Sequence, residues 1–290
     1  MDFTIVTPSY QQLDWLARCI ASVADQEEVT VEHIVQDAGS PGFPDFMEKM
    51  ERNWPNRPRY RRVMVCEADR GMYDAINKGL KKGTGRYCGH LNCDEQYLSG
   101  ALAKAKKEFE KSPEAEILYG GFLVVDPQGR LITAQRPVRM SWQHVATSHL
   151  PNFTCATFFR RVLLERDQAW FNEQYRFTGD AVWTLERLRK GTENRLVPEF
   201  FAAFTDTGKN HGMSTEGRIE AMRVRDSASR WVRLATPIWK IGHGLKKAFS
   251  GGYLPARVSY DLHMSKSVKS RSHFAMSLTS PLWLSRMKKR

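Results

Sequence analysis

The sequence predicts an α/β protein: a doubly wound sheet with helices on both faces, followed by a basic amphipathic C-terminal extension. Three observations carry this. Short apolar strands alternate with segments of helical period through the front of the chain, the pattern of strands joined by crossover helices. Each of those strands ends in polar or acidic residues, where an open α/β sheet forms its ligand crevice. The charge is split along the chain: residues 218–290 hold 16 Lys and Arg against 3 Asp and Glu, while residues 1–217 hold 28 against 29. A shift of that size marks a separate segment, so we expect one domain over 1–217 and a basic helical segment over 218–290.

Taken in order, Phe3–Val6 is an apolar strand ending in Thr7-Pro8-Ser9-Tyr10. Leu13, Leu16, Ile20 and Val23 recur at helical spacing,. Val29–Val35 is a second strand, ending on Gln36-Asp37-Ala38-Gly39-Ser40. Phe43–Met50 forms a short helix with Pro44 in its first turn, where a missing N–H costs nothing,. Arg62–Cys66 is a third strand, followed by Glu67-Ala68-Asp69-Arg70-Gly71, and Met72, Ile76 and Leu80 line the helix after it. Tyr87–Leu91, after the Gly-Thr-Gly of Gly83–Gly85, is the fourth strand,.

That strand ends in Asn92-Cys93-Asp94-Glu95. Hard divalent cations take oxygen ligands and bind nucleotides through one or two carboxylates plus phosphate oxygens, so acids at this strand end suit such a site. Further on, Ala101–Lys111 is an amphipathic helix, and Ile117–Val125 and Leu131–Ala134 form a hairpin about the turn Asp126-Pro127-Gln128-Gly129,. Cys155–Phe159 is a strand ending in Arg160-Arg161, and Asp180 opens a helix with Val182, Leu185 and Leu188. Leu196–Phe204 is a last apolar strand before a polar loop, Thr205–Ser214.

The five cysteines are scattered and without paired spacing, which predicts reduced thiols in a cytoplasm and speaks against a zinc site or disulfide framework,. No uncharged apolar run reaches the length of a membrane span, and Met1-Asp2-Phe3 lacks the features of a signal peptide, so neither is expected,.

The series Thr7-Pro8-Ser9-Tyr10, Asp37-Ala38-Gly39-Ser40, Asp69 through Gly79 and Leu91-Asn92-Cys93-Asp94-Glu95 resembles the family 2 glycosyltransferases, in that family's order and spacing,. These are inverting, nucleotide-sugar-dependent enzymes of the GT-A fold, with a Rossmann-like mixed sheet; the closest branch builds bacterial exopolysaccharide or O-antigen. Phe158-Phe159-Arg160-Arg161, Gly179-Asp180 and His211-Gly212-Met213-Ser214 extend the resemblance to about residue 215.

The resemblance implies the following roles. Thr7, Pro8 and Tyr10 shape the nucleotide pocket, Asp37 accepts a hydrogen bond from the base, and Asp69 lies near the base or ribose. Arg70, Gly71, Asp74 and Asn77 line the donor pocket, with Arg70 a partner for phosphate. Asp94 matches the last acid of the Asp-x-Asp metal motif and would hold Mn²⁺ or Mg²⁺ against the diphosphate of a UDP-sugar. Asn92 stands where the first Asp usually lies, an uncharged and weaker ligand. Glu95 is either a water-mediated helper or a solvated neighbour. Asp180 matches the general base, with a helix N-cap as the structural alternative. Thr154-Cys155 replaces the His-Gln common in relatives, so the acceptor side departs from the pattern.

The resemblance thus implies transfer of a sugar to a glycan or lipid-linked acceptor at the inner face of the membrane. A sugar nucleotidyltransferase would instead carry a Gly-rich, Lys/Arg-containing N-terminal loop, which Thr7–Leu13 is not. A nucleic-acid binder would use the basic tail, with Trp231, Trp239 and Trp283 as stacking platforms. The basic residues are interleaved with Ile238, Ile241, Leu245 and Phe249, an arrangement suited to an anionic membrane surface, so no nucleic-acid partner is expected,.

Overall fold

The computed structural model describes residues 1–208, 214–254, 256–265 and 270–278. Its strands are β1 (Phe3–Ser9), β2 (Val31–Asp37), β3 (Tyr60–Cys66), β4 (Tyr87–His90), β5 (Glu95–Tyr97), β6 (Ile117–Val125), β7 (Leu131–Gln135), β8 (Thr157–Arg160), β9 (Asn194–Thr205), β10 (Ala256–Leu262) and β11 (Ser272–Leu278). Its helices are α1 (Leu13–Ala24), α2 (Phe43–Asn53), α3 (Met72–Lys82), α4 (Ala101–Lys111), α5 (Trp142–Thr147), α6 (Val162–Arg166), α7 (Gly179–Arg189), α8 (Thr215–Asp226), α9 (Arg230–Leu234) and α10 (Thr236–Phe249).

Nine strands form one sheet in the order β3-β2-β1-β4-β8-β6-β9-β5, with β7 paired to β6. The alternation of strand and helix holds for the first half: β1 pairs in parallel with both β2 and β4, and β2 with β3. Beyond β4 the sheet is mixed. β8 runs antiparallel to β4 and β6, whereas β6 and β9 run parallel. Because β1 is central and covered on both faces, all seven of its residues are buried, the polar Thr4, Thr7 and Ser9 included,. It is longer than Phe3–Val6, because pairing continues to Ser9 opposite Asp37.

Successive side chains of β1 go to opposite faces. Phe3 and Ile5 join a core with Val23 of α1, Leu102 and Phe109 of α4, Phe158 and Phe201. Val6 joins a second core with Tyr73, Ile76 and Leu80 of α3 and Val182, Trp183 and Leu185 of α7. The Gly-Thr-Gly turn has a steric cause: a Cβ on Gly85 would lie 2.3 Å from the Thr4 backbone nitrogen. Arg161 secures the same turn, donating to the carbonyls of Gly85 (2.7 Å) and Leu80 (3.0 Å) and to Thr4 Oγ1 (3.0 Å).

Helices α5 and α6 were not read from the sequence, and two further differences bear on the site and the C-terminal segment. Glu95–Tyr97, where the sequence reading placed no strand, is β5, antiparallel to Ala202–Phe204 of β9. The C-terminal segment, expected as helical, contains α8, α9 and α10 but also the antiparallel hairpin of β10 and β11. The hairpin packs Val258, Tyr260 and Leu262 against Leu123, Leu131 and Ala203. The all-helical expectation fails because alternate residues of β10 are apolar and find a sheet edge to cover. The basic Arg271 is a fastener, with Nε and Nη2 gripping the Asp25 carboxylate (2.7 and 2.6 Å) and Nη1 donating to the Tyr97 carbonyl (2.7 Å). His263 Nε2 meets the same carboxylate at 2.8 Å, and the His263 backbone exchanges two hydrogen bonds with the Gln96 amide.

Burial alone would raise the Asp25 carboxyl, but the hydrogen bonds from His263 and Arg271 outweigh it and hold it below the usual range,. Its contribution to stability is therefore present above the ordinary carboxylate pKa and is lost as pH falls through the depressed value. Arg271→Ala should cost roughly 3 kcal/mol, since it leaves a mostly buried charge with its main partner removed,. Urea unfolding of the variant at pH 7 reads this; an unchanged midpoint would show that the hairpin is not fastened here.

Candidate active site

The carboxyl ends of β1, β2, β3 and β4 lie side by side and define a crevice, and their polar residues divide into those that face it and those that build it. Asp37 builds. Its Oδ2 accepts from Ser9 Oγ (2.7 Å) and Ser40 Oγ (2.8 Å), and its Oδ1 from the amides of Gly39 (3.0 Å) and Ser40 (2.6 Å). A carboxylate offers about four acceptor sites, and all are used, so a base N–H reaching Asp37 would have to displace a serine hydroxyl. Thr7 is likewise interior: fully buried, it bonds His33 Nε2 at 2.9 Å beneath the crevice. Pro8 is buried and its carbonyl accepts from Cys93 Sγ (3.2 Å), which ties the β1 end to the turn after β4. Tyr10 is exposed, its hydroxyl touched by Gln11, and is free to present its ring.

The segment around Asp69 is divided in the same way. Asp69 is half-buried, accepts from the Gly71 amide (2.9 Å), and is raised by desolvation. Asp74 is buried in the first turn of α3, accepting from the Arg70 amide (2.9 Å), Arg70 Nη2 (3.2 Å) and Lys78 (3.3 Å). Desolvation alone would raise it, but those partners bring it down to about 2. Asn77 is buried and pins the 171–173 loop: its amide donates to the Phe171 carbonyl (2.8 Å) and accepts from the Phe171 N–H (3.0 Å). Arg70 is exposed and bonds Glu173, beside a cleft of about 480 Å³ that Asn77, Lys81 and Trp170 also line. Asp74 and Asn77 therefore brace the wall of the crevice, while Arg70 stands at its rim.

The acids after β4 are in a different state. Asn92 Oδ1 is buried and makes no hydrogen bond, a rare condition for a buried amide oxygen,. Asp94 is half-buried, and its carbonyl accepts from the Thr205 amide at 3.0 Å. Glu95 is buried, with the Asn92 amide donating to it at 2.7 Å. Burial drives its carboxyl well upward, and the charges of Asp94 and Asp180 add to this. Glu95 thus shares a poorly solvated space with its neighbour Asp94 and with Asp180 from a distant part of the chain. An orphaned amide oxygen beside crowded carboxylates is a donor set that fits a hard divalent cation.

Asp180 lies in the first turn of α7, not at its N-cap, which is Thr178. Its carboxyl is raised by burial. Oδ1 accepts from the Ala181 amide (2.8 Å) and from Tyr73 Oη (3.2 Å), and both bonds fall on that one oxygen. The Tyr73 ring is buried, stacks on Phe171 at 5.8 Å, and passes so close to Gly179 that a Cβ there would lie 2.6 Å from it.

The sequence reading missed Glu220. This buried residue of α8 reaches back to the loop before Asp180, accepting from the amides of Arg176 (2.7 Å), Phe177 (2.8 Å) and Thr178 (3.0 Å) and from Thr178 Oγ1 (3.1 Å). Its only signal in the sequence is its place as one of three acids among the basic residues of 218–290. The His211-Gly212-Met213 stretch lies outside the described residues.

Comparison with known proteins bears on the family and the fold. The model of the glycosyl transferase family 2 domain matches residues 4–166. The chain is 25% identical over 207 residues to an uncharacterized glycosyltransferase, EpsJ, of Bacillus subtilis, covering 68% of this chain and 58% of that one. Among solved structures it is similar in fold to S. aureus TarS 1–349 in complex with UDP-GlcNAc: TM-score 0.58 at 15% identity, over 87% of this chain and 70% of that one. It is equally similar to the mannosyltransferase PcManGT of Pyrobaculum calidifontis in complex with GDP-Man and Mn²⁺: TM-score 0.58 at 15% identity, over 86% and 75%.

Glu220→Ala would leave three loop amides without their charged acceptor, so it should cost roughly 3 kcal/mol. Met222→Ala, on the exposed side of the same helix, should stay within about 0.5 kcal/mol of the parent,. Chemical denaturation of the two side by side distinguishes them; equal midpoints would remove Glu220 from the support of the Asp180 loop.

Proposed function

The chain belongs to glycosyl transferase family 2, and we propose that it is an inverting glycosyltransferase with its catalytic domain over residues 1–217. It moves a sugar from a nucleotide-sugar donor to a glycan or lipid-linked acceptor in bacterial surface polysaccharide synthesis. The observation that carries this reading is that buried Glu95, next to Asp94 after a strand end, feels the charge of Asp180, itself raised by burial at the start of α7.

Inversion requires one base on the side of the anomeric carbon opposite the leaving group. In this reading Asp180 takes the proton of the acceptor hydroxyl. Desolvation makes it a stronger base than an ordinary carboxylate, and Tyr73 fixes Oδ1 and so orients the other oxygen toward the acceptor. Tyr10, Asp69 and Arg70 bind the donor from the crevice rim, while Thr7, Pro8, Asp37, Gly71, Asp74 and Asn77 hold the walls. Asp94 and the Asn92 amide oxygen would hold Mn²⁺ or Mg²⁺, which when bound offsets charge on the departing nucleotide. A UDP-sugar is the donor we favour, supported by the resemblance and by UDP-GlcNAc in the complex with TarS.

Among the described residues no helix is long and apolar enough to cross a membrane. The outer face of α9 and α10 nevertheless aligns Leu234, Ile238, Ile241, Leu245 and Phe249, each more than half exposed. These positions fall on one side of a helix, and the exposed Lys246 lies beside it,. We assign this face to the anionic inner leaflet, with the enzyme on the cytoplasmic side. Trp283 and the terminal Lys288-Lys289-Arg290 lie outside the described residues.

A panel of nucleotide sugars with Mn²⁺ present, read by nucleotide release, tests the chemistry. Asp94→Ala should abolish transfer with the fold intact. Asp180→Asn should lower turnover about 10²–10⁴-fold while nucleotide binding persists. Undiminished turnover in either variant would remove that residue from the reaction.

Membrane docking is tested by point substitution, because truncation would also remove the β10–β11 hairpin. The triple variant Ile238→Ser, Ile241→Ser, Phe249→Ser should stay in solution when mixed with anionic vesicles that sediment the parent, and should keep parental nucleotide release. Equal sedimentation of the two would overturn the assignment.

A further inference from the structure

The crevice leaves unused a cluster on α5 and α10. His144 lies on α5, His149 two residues beyond its end, and His243 on the inner face of α10. One nitrogen from each ring lies within 4.8 Å of the others. His144 and His243 stack at 4.1 Å, and His149 stands edge-on to both. His144 is 2% exposed, and neither of its ring nitrogens makes a hydrogen bond. The nearby Trp239 carbonyl slightly favours its protonated form without bonding to it. A buried imidazole with both nitrogens unpartnered calls for an explanation.

We propose that His144, His149 and His243 form a three-imidazole site for a borderline transition-metal ion of the Zn²⁺ class, which clips α10 to the catalytic domain.

Three neutral imidazoles with a fourth position open to water is a donor set that tetrahedral Zn²⁺ accepts. Burial, and then the mutual proximity of the rings, holds His144 and His243 well below the usual histidine range, so both are neutral ligands at pH 7. His149 is exposed and supplies the path of entry,. The charged groups felt at the site are the cations Lys240, Lys246 and Lys247, and Lys247 is engaged with Gln135 at 2.8 Å. No acid faces the cluster among the groups acting on these rings. Without an anionic ligand, and with cations nearby, the site rejects hard ions such as Mg²⁺ and selects by nitrogen affinity, in the order Cu²⁺ above Zn²⁺ above Co²⁺. It is therefore chemically distinct from the oxygen site at Asn92 and Asp94.

The test uses full-length protein carrying Asp94→Ala, so that the oxygen site is disabled, stripped of metal and titrated with Zn²⁺ against a chromophoric chelator. One equivalent should bind, raising the melting temperature by a few degrees, and Mg²⁺ should do neither. Co²⁺ in place of Zn²⁺ should give the visible absorption of a tetrahedral nitrogen site. His144 is buried, so His144→Ala would disturb the packing whether or not metal binds; the exposed His149→Ala is the decisive variant. It should melt like the metal-free parent and bind Zn²⁺ at least about 10-fold more weakly. Absence of Zn²⁺ binding by the parent, or unchanged affinity in His149→Ala, would show that the three rings are only packed together and would overturn the proposal.

Discussion

The constraint on which this structure depends is the cost of holding carboxylates out of water. Glu95 is buried beside Asp94, and the charge of Asp180 adds to the pressure on its proton. Like charges in a poorly solvated space raise one another's proton affinity and oppose folding unless a proton, a cation or hydrogen bonds compensate. The architecture around them supplies rigidity. The Asn92 backbone N–H donates to the Glu95 carboxylate at 2.7 Å, β5 pairs with β9, and the Tyr73 ring wedged against Gly179 fixes Oδ1 of Asp180. A site that concentrates negative charge in this way is prepared for a partner that brings positive charge.

Much of the motif sequence serves that rigidity. Asp37 spends four acceptor positions on its own loop and on Ser9. Asp74 ties the first turn of α3 to the Arg70 amide, Asn77 joins α3 to Phe171, and Arg160 donates to the carbonyls of Ala115 and Phe109. Buried polar groups must be satisfied, and in a crevice built from strand ends the chain supplies few spare backbone partners, so side chains take the task. Residues shared with a family of transferases are thus of two kinds, those that meet a ligand and those that shape the loops around it.

The basic C-terminal segment also has two faces. Toward the domain it contributes Glu220 under the Asp180 loop, His243 against α5, and the hairpin fastened by Arg271 to Asp25. Toward solvent it presents an apolar stripe on α9 and α10. One segment can therefore support the crevice and dock the protein on a surface, because helix α10 separates the two tasks by about half a turn.

The sequence by itself determined the parallel half of the fold, since strands β1 to β4 and their helices follow local period and turn chemistry. Through strand-end position it also pointed to a crevice and to Asp94, whereas Asp180 entered only through the resemblance to a known family. It did not determine β5, whose three residues carry too little pattern and exist as a strand only because β9 lies beside them. Nor did it separate the lining residues from the bracing ones: Thr7, Asp74 and Asn77 are polar residues at strand and helix ends, and only packing shows that their side chains point inward. Glu220, Arg271 and the three histidines were equally hidden. Each acts across a long stretch of sequence, and such pairings are fixed by the closing of the chain around its core rather than by any local preference.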